Sequence, residues 1–223
     1  MTTTSPDPLD GPPRTGLSDR LVDAIARRPN GLIGRALYRR PVGHMAGFRK
    51  GLAAAPVGPQ DRVLDVGCGG GVFLEMALAG GCRASGLDHS PDMVRETKRR
   101  NAHALAEGRL EVVQGDAADL PFADAAFSHV FCLHAFFFFP QPDKAIAEMA
   151  RVLAPGGRLV IVTAPLESAE RMHRIFGPIA RRMRFDTPEA LARWAEAGGL
   201  VAEGTIDPQA ADMLFIARRP TTT

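Results

Sequence analysis

Nothing in this chain limits its fold more than the run Val63-Leu64-Asp65-Val66-Gly67-Cys68-Gly69-Gly70-Gly71. Val63 to Val66 make a short, mostly apolar strand, and glycines at 67, 69 and 71 follow at once. Val72, Leu74, Met76, Ala77 and Leu78 then form an amphipathic helix that Gly80-Gly81 stops. Strand, tight turn and helix in that order open a βαβ unit. A turn without Cβ atoms takes strained dihedrals and lets a ligand lie on bare backbone, so it reads as a cradle. Its spacing is not the G-x-G-x-x-G of dinucleotide folds, because Val72 stands where the third glycine is required. Asp65 closes the strand just ahead of the turn, where it can accept from a cationic amino group or order the loop.

The rest of the chain repeats the same rhythm. A second strand at 83–87 ends in Asp88, placed for the hydroxyls of a ribose. Ser90-Pro91-Asp92 starts a helix, with serine as side-chain cap, proline pre-setting φ and aspartate favouring the dipole. Strands at 110–113 and 127–132 follow, the first leading into Gly115-Asp116-Ala117 and the second into Leu133-His134. Pro142 opens a helix whose Ile146, Met149, Ala150 and Leu153 share one face, Pro155-Gly156-Gly157 ends it, and a fifth strand spans 158–163. After a longer arginine-bearing segment at 164–185, Thr187-Pro188 starts a helix that Gly198-Gly199 stops. Two closing strands, near 200–206 and 213–218, are joined too tightly for a parallel crossover and must be antiparallel. The expected fold is a doubly wound α/β sheet of seven strands, mostly parallel, with a terminal antiparallel hairpin.

Ahead of the first strand, Leu17, Leu21 and Ile25 mark one short helix, 32–38 a second and 42–55 a third. Too small for a core of their own, they are expected to dock on the α/β body as an N-terminal helical cap. The expected division is a disordered tail at 1–16, a cap or lid at 17–58, and a binding domain at 59–219 within which 164–186 serves as a substrate lid. A net charge of +2 gives no case for a nucleic-acid or membrane surface. No apolar run reaches the roughly 20 residues that span a bilayer. Cys68, Cys82 and Cys132 are scattered, with neither a disulfide framework nor a metal site implied. Free thiols and the lack of a signal-peptide pattern at the N-terminus fit a cytoplasmic protein.

Four motifs recur in order over 62–163: V-L-D-V-G-C-G-G-G, G-L-D-H-S at 86–90, G-D-A-A-D-L-P-F at 115–122 and R-V-L-A-P-G-G-R-L at 151–159. As a set they resemble the class I S-adenosylmethionine (SAM)-dependent methyltransferases, whose sheet is Rossmann-like. The text P-N-G-L-I-G-R at 29–35 is similar to a lead-in of the ubiquinone/menaquinone-biosynthesis group of small-molecule methyltransferases. The resemblance implies that Asp65, Gly67 and Gly69 surround the methionine part of SAM, with Cys68 a small filler in the same turn. It implies that Asp88 holds the ribose, that His89 and Met93 flank the adenine, and that Asp116 and the Ala117 amide meet its edge. Leu133 and His134 then form the floor beside the sulfonium. Amides at a helix start suit the ligand's carboxylate.

Methyl transfer from a sulfonium needs alignment and a dry cavity more than side-chain chemistry. For a hydroxyl or acidic-carbon acceptor a general base is required, and His134 is the candidate. Of Phe136, Phe137, Phe138 and Phe139, some must be core and one or two can wall an apolar or aromatic acceptor. The arginines at 171, 174, 181, 182 and 184 either attract an anionic acceptor or solvate a lid helix. The D/N-P-P-Y/F motif of base and amide N-methyltransferases is absent at 132–135, which argues against nucleic acid and for a small-molecule acceptor. The expected products are a methylated small molecule and S-adenosylhomocysteine, made by a monomer or homodimer. An NAD-dependent oxidoreductase fits poorly. A SAM-binding cyclase or decarboxylase, or a non-catalytic SAM-binding subunit, shares the motifs and stays open.

Overall fold

The computed structural model describes residues 42–177, 180, 183–206 and 212–221. The expected tail at 1–16, the first two cap helices, the 29–35 match, Arg181, Arg182 and most of the last hairpin's connection lie outside the described residues. Seven strands form one sheet: β1 (Arg62–Val66), β2 (Arg83–Asp88), β3 (Leu110–Gln114), β4 (Phe127–Leu133), β5 (Leu153–Thr163), β6 (Val201–Ile206) and β7 (Met213–Arg218). Their order is β3-β2-β1-β4-β5-β7-β6. Strands β1 to β5 are parallel, and β7 runs antiparallel between β5 and β6.

In the central strands side chains alternate between the two faces, as strands buried on both sides require. Leu64, Val66, Val130, Cys132, Leu159, Ile161, Met213 and Phe215 point to one face, where α5 (Pro142–Val152) and α7 (Pro188–Ala197) supply Ile146, Met149, Leu191 and Ala195. Val63, Phe131, Leu133, Val160, Val162 and Leu214 point to the other. That face is covered by α1 (Met45–Ala54), α2 (Val72–Leu78), α3 (Pro91–Arg100) and α4 (Ala102–Ala106), through Phe48, Phe73, Leu74, Val94 and Ala104. A last helix, α6 (Ala169–Phe176), follows β5. Asp65 takes its place in the second row, between β2 and β4, where an apolar residue is otherwise the rule.

Two local expectations are corrected. Ser90 sits at the N-cap of α3 but its hydroxyl makes no cap bond, and its Oγ is buried with no partner. Its backbone N–H instead donates to Asp88 Oδ1 at 2.9 Å, so the aspartate orders the turn. Leu153 belongs to β5 rather than to the helix face of α5: it pairs with Phe127, and an irregularity then resets the register to His129 opposite Arg158. Thr187 does cap α7, accepting from the Ala190 N–H.

Candidate active site

The carboxyl ends of β1 and β4 lie side by side, with β2 and β3 leading away on one hand and β5 on the other. Such a reversal of strand order opens a crevice between the loops that leave the two strands. Here it holds a cavity of about 510 Å³ lined by Gly67, Gly69, Asp88, His89, Met93 and Asp116, among others. A smaller one of about 50 Å³ is lined by His44, Asp65, Cys68, Gly70, Phe73 and Leu133. Gly67, Gly69 and His134 line both. All eleven site residues expected from the sequence therefore face one or the other, Ala117 included.

The glycine turn is held rigidly from two sides. Gly67 and Cys68 donate to the Leu87 carbonyl at 2.7 and 3.0 Å, and Gly69 donates to Asp88 Oδ2 at 2.9 Å. On the other side Thr97 Oγ1 and Arg100 Nε of α3, with Asn101 Nδ2 just past its end, donate to the carbonyls of Gly69, Gly70 and Gly71 at 2.6, 2.8 and 3.1 Å. The amides of Gly67, Cys68 and Gly69 are thus committed inward, and the glycines offer the cavity bare Cα surface instead of donors. Gly67 needs its lack of a side chain: its φ is 81°, and a Cβ there stands 2.4 Å from the Cβ of Ala135.

Two acids border this cradle. Asp65 is 2 % exposed and has no hydrogen-bond or cationic partner among the described residues. Burial, reinforced by the nearby Asp88, pushes its carboxyl well above the ordinary range. Burial also raises Asp88, opposed by the amides of Ser90 and Gly69 and then by His89. Each Asp88 oxygen takes one backbone N–H and keeps a lone pair for a ligand hydroxyl. Asp116 is exposed, lines the larger cavity and accepts from the Ala118 N–H at 2.9 Å through Oδ1, with no bond to Oδ2 among the described residues. His89 is half exposed beside Asp88, and Met93 is buried beneath them.

The loop that carries Asp116 and Ala117 is clamped by α5. Arg151 donates to the carbonyls of Leu120 and Phe122 at 2.9 and 2.8 Å and pairs with Asp124 and Glu148, while Glu148 accepts the Leu120 N–H. Arg151 heads the R-V-L-A-P-G-G-R-L motif, so that motif reaches the cavity through the loop.

Beyond β4 the backbone turns sharply. His134 has a φ of 60°, rare for a side chain other than glycine, and its N–H donates to the Val162 carbonyl at 2.8 Å. Its ring stacks on His44, with centroids 4.2 Å apart and planes 12° from parallel. Burial lowers both imidazoles to about 4. Of the four phenylalanines, Phe136 and Phe137 are core, while Phe138 and Phe139 line the larger cavity. Arg184 is engaged with Asp186 and lies over Trp194, whereas Arg171 and Arg174 are exposed. Sequence reasoning missed His44, Phe48 and Phe73 in the smaller cavity and Gln114 in the larger. A local signal existed only for His44: Gly47, inside an otherwise good helix, marks a close approach.

These features define a class of doubly wound α/β protein, with a nucleoside-sized cavity across the β1–β4 reversal and an uncompensated acid beside it. Comparison with known proteins gives the family. The description "Methyltransferase domain" matches residues 64–161. The demethylmenaquinone methyltransferase of Thermobifida fusca (strain YX) is 33 % identical over 163 residues, 67 % of this chain and 69 % of that protein. The 27-O-demethylrifamycin SV methyltransferase of Amycolatopsis mediterranei (strain S699) is 32 % identical over 75 % of this chain and 62 % of its own. A chain in the complex of the Haloferax volcanii Trm112 methyltransferase activator with a methyltransferase superposes with a TM-score of 0.71 at 24 % identity, covering 82 % of this chain and 92 % of that one. The chain belongs to the class I SAM-dependent methyltransferases. Against other curated relatives the match spans about half of their length.

Proposed function

We propose that this protein transfers the methyl group of SAM to a small-molecule acceptor. The observation that carries the reading is Asp65, a buried carboxylate without a cation, set against a side-chain-free turn. An anion in that position is costly until a positive ligand arrives. SAM brings two positive groups, its sulfonium and its α-ammonium. In this reading Asp65, Gly67, Cys68 and Gly69 hold the methionine end, Asp88 takes the ribose hydroxyls, and His89 and Met93 flank the adenine. Asp116 accepts from the exocyclic amine, the Ala117 amide donates to the ring, and Leu133 forms the floor with His134, to which we assign the acceptor's proton. SAM supplies the activated methyl group when bound, and the chain supplies orientation and water exclusion.

Phe138 and Phe139 on the wall favour an acceptor with an apolar or aromatic body. The relatives named above act on a quinone and a rifamycin, which supports an acceptor of that kind, with oxygen, carbon or nitrogen as the methylated atom. We assign the work to the cytoplasm and to a monomer or homodimer, with 17–58 as the cap and 164–186 as the lid. No helix among the described residues is long and apolar enough to cross a membrane. Calorimetry with SAM and with NAD tests the cofactor, and incubation with labelled SAM and candidate acceptors tests the transfer. Binding of NAD with indifference to SAM removes the proposal, and SAM binding without transfer to any acceptor leaves a SAM-binding protein of other chemistry.

A further inference from the structure

We propose that Arg184 is a positioning residue for the acceptor: it fixes the Phe138–Phe139 wall of the larger cavity and so sets how wide a planar acceptor that cavity admits. This rests on the methyltransferase reading above and deepens it by naming the side chain that governs acceptor size. Arg184 lines neither cavity, so it works through its neighbours. It reaches the wall through backbone and side chain alike. Its N–H donates to the Phe137 carbonyl at 2.7 Å, and the Phe137 ring meets Phe138 edge-on with centroids 4.6 Å apart. Its guanidinium lies 5.5 Å from the centroid of Trp194, whose ring contacts Phe136 at 6.4 Å, and Phe136 in turn meets Phe139 edge-on at 5.8 Å. One arginine thereby holds the short turn at Phe136–Phe138 together with both rings that face the cavity.

The other contacts of Arg184 favour orientation over stability as its role. Pro165, just past β5, pairs with Asp186 in a parallel bridge, so the segment that leaves β5 returns to the sheet at this point. Asp186 Oδ1 accepts from Arg184 Nη2 at 2.7 Å. The ion pair is only half made, because Arg184 Nε and Asp186 Oδ2 are both buried with no hydrogen-bond partner among the described residues. A buried pair that forms one of the two bonds open to it is a poor source of stability, and replacing such a pair as a whole is commonly tolerated. It does supply direction: a planar cation tied to Asp186 lies over the face of Trp194 in one orientation. Arg171 and Arg174, by contrast, are exposed on α6.

The test uses the full chain, SAM calorimetry, thermal melting, and initial rates with labelled SAM and a pair of probe acceptors of different width, hydroquinone and 1,4-dihydroxynaphthalene. Arg184→Met combined with Asp186→Asn keeps the backbone N–H and removes both charges. Its kcat/KM for the wide probe relative to the narrow one is expected to fall about tenfold, chiefly through KM, with SAM affinity within about threefold of wild type. Phe139→Ala is expected to lower the same ratio, and adding it to the double variant to lower it no further, which marks residues acting as one unit. Arg184→Lys keeps a charge for Asp186 without the plane, is expected to lower the ratio about threefold, and decides the matter if the double variant does not fold. An unchanged ratio would overturn the proposal, as would fully additive effects of Phe139→Ala. A lower melting temperature with equal losses on both probes does so too, by making Arg184 structural only. So does a wild type that binds SAM and methylates neither probe, since the wall then receives no planar acceptor of this kind. Failure to bind SAM at all removes the methyltransferase reading itself.

Discussion

At Asp65 the ligand-free fold carries a group that it does not satisfy. Its carboxyl is raised by burial, so folding holds that proton more tightly than the unfolded chain does. The stability it contributes is present at low pH and is lost as pH rises through its folded value. Asp65→Asn is therefore expected to raise the melting temperature of the ligand-free protein at pH 7 while weakening SAM binding by a factor of about 10 to 100. Thermal shift with and without SAM shows both. The histidine pair works with the opposite sign. His44 and His134 are lowered from 6.5 to about 4, so their stability is whole above pH 6.5 and is lost as pH falls toward 4. His134→Asn, which tolerates a positive φ and does not titrate, is expected to make the loss of denaturation midpoint between those limits shallower. Asp65 and Asp88 were legible in the sequence because each stands at the carboxyl end of a short predicted strand, Asp65 two residues ahead of the glycine turn and Asp88 two ahead of the Ser90-Pro91 helix start. The stacked histidine pair was not: its two rings come from elements far apart in the chain, and no local period links them.

The elements around the cradle divide the labour. α3 and the residue after it pin the carbonyls of the glycine turn through Thr97, Arg100 and Asn101, and α5 pins the Asp116 loop through Arg151 and Glu148. Arg151→Lys keeps a charge but loses the planar fork that serves two carbonyls and two carboxylates. It is expected to weaken SAM binding several-fold and to speed hydrogen exchange over 115–124, with the glycine turn unaffected. In the turn itself, Gly67→Ala combines a positive φ with a clash against Ala135, at a cost of about 1–3 kcal/mol read as a lower melting temperature, together with lost SAM binding. Period-two and helical patterns made strands and helices readable. Ser90 misled, because a serine before Pro-Asp satisfies the local rules for a cap, while Asp88, two residues earlier, takes that turn's amide in a competing local geometry. The role of Arg151 was hidden for another reason, since Leu120, Phe122 and Asp124, which it holds, lie in a loop that precedes β4.

Across the whole molecule, the sheet order sets the crevice and the two face clusters hold its walls. A ligand that binds only the folded chain stabilises it by about 2.7 kcal/mol at one hundred times its dissociation constant. SAM at that excess is expected to raise the melting temperature by several degrees, whereas NAD at equal concentration leaves it unchanged. The position of β7 has another outcome, for synthesis. The ribosome makes β6 before β7, yet β6 touches the sheet only through β7. Until β7 threads into its slot, β5 keeps an open, apolar edge and β6 has only α7 to lean on, so the nascent chain is expected to be most prone to association before residues 213–218 emerge.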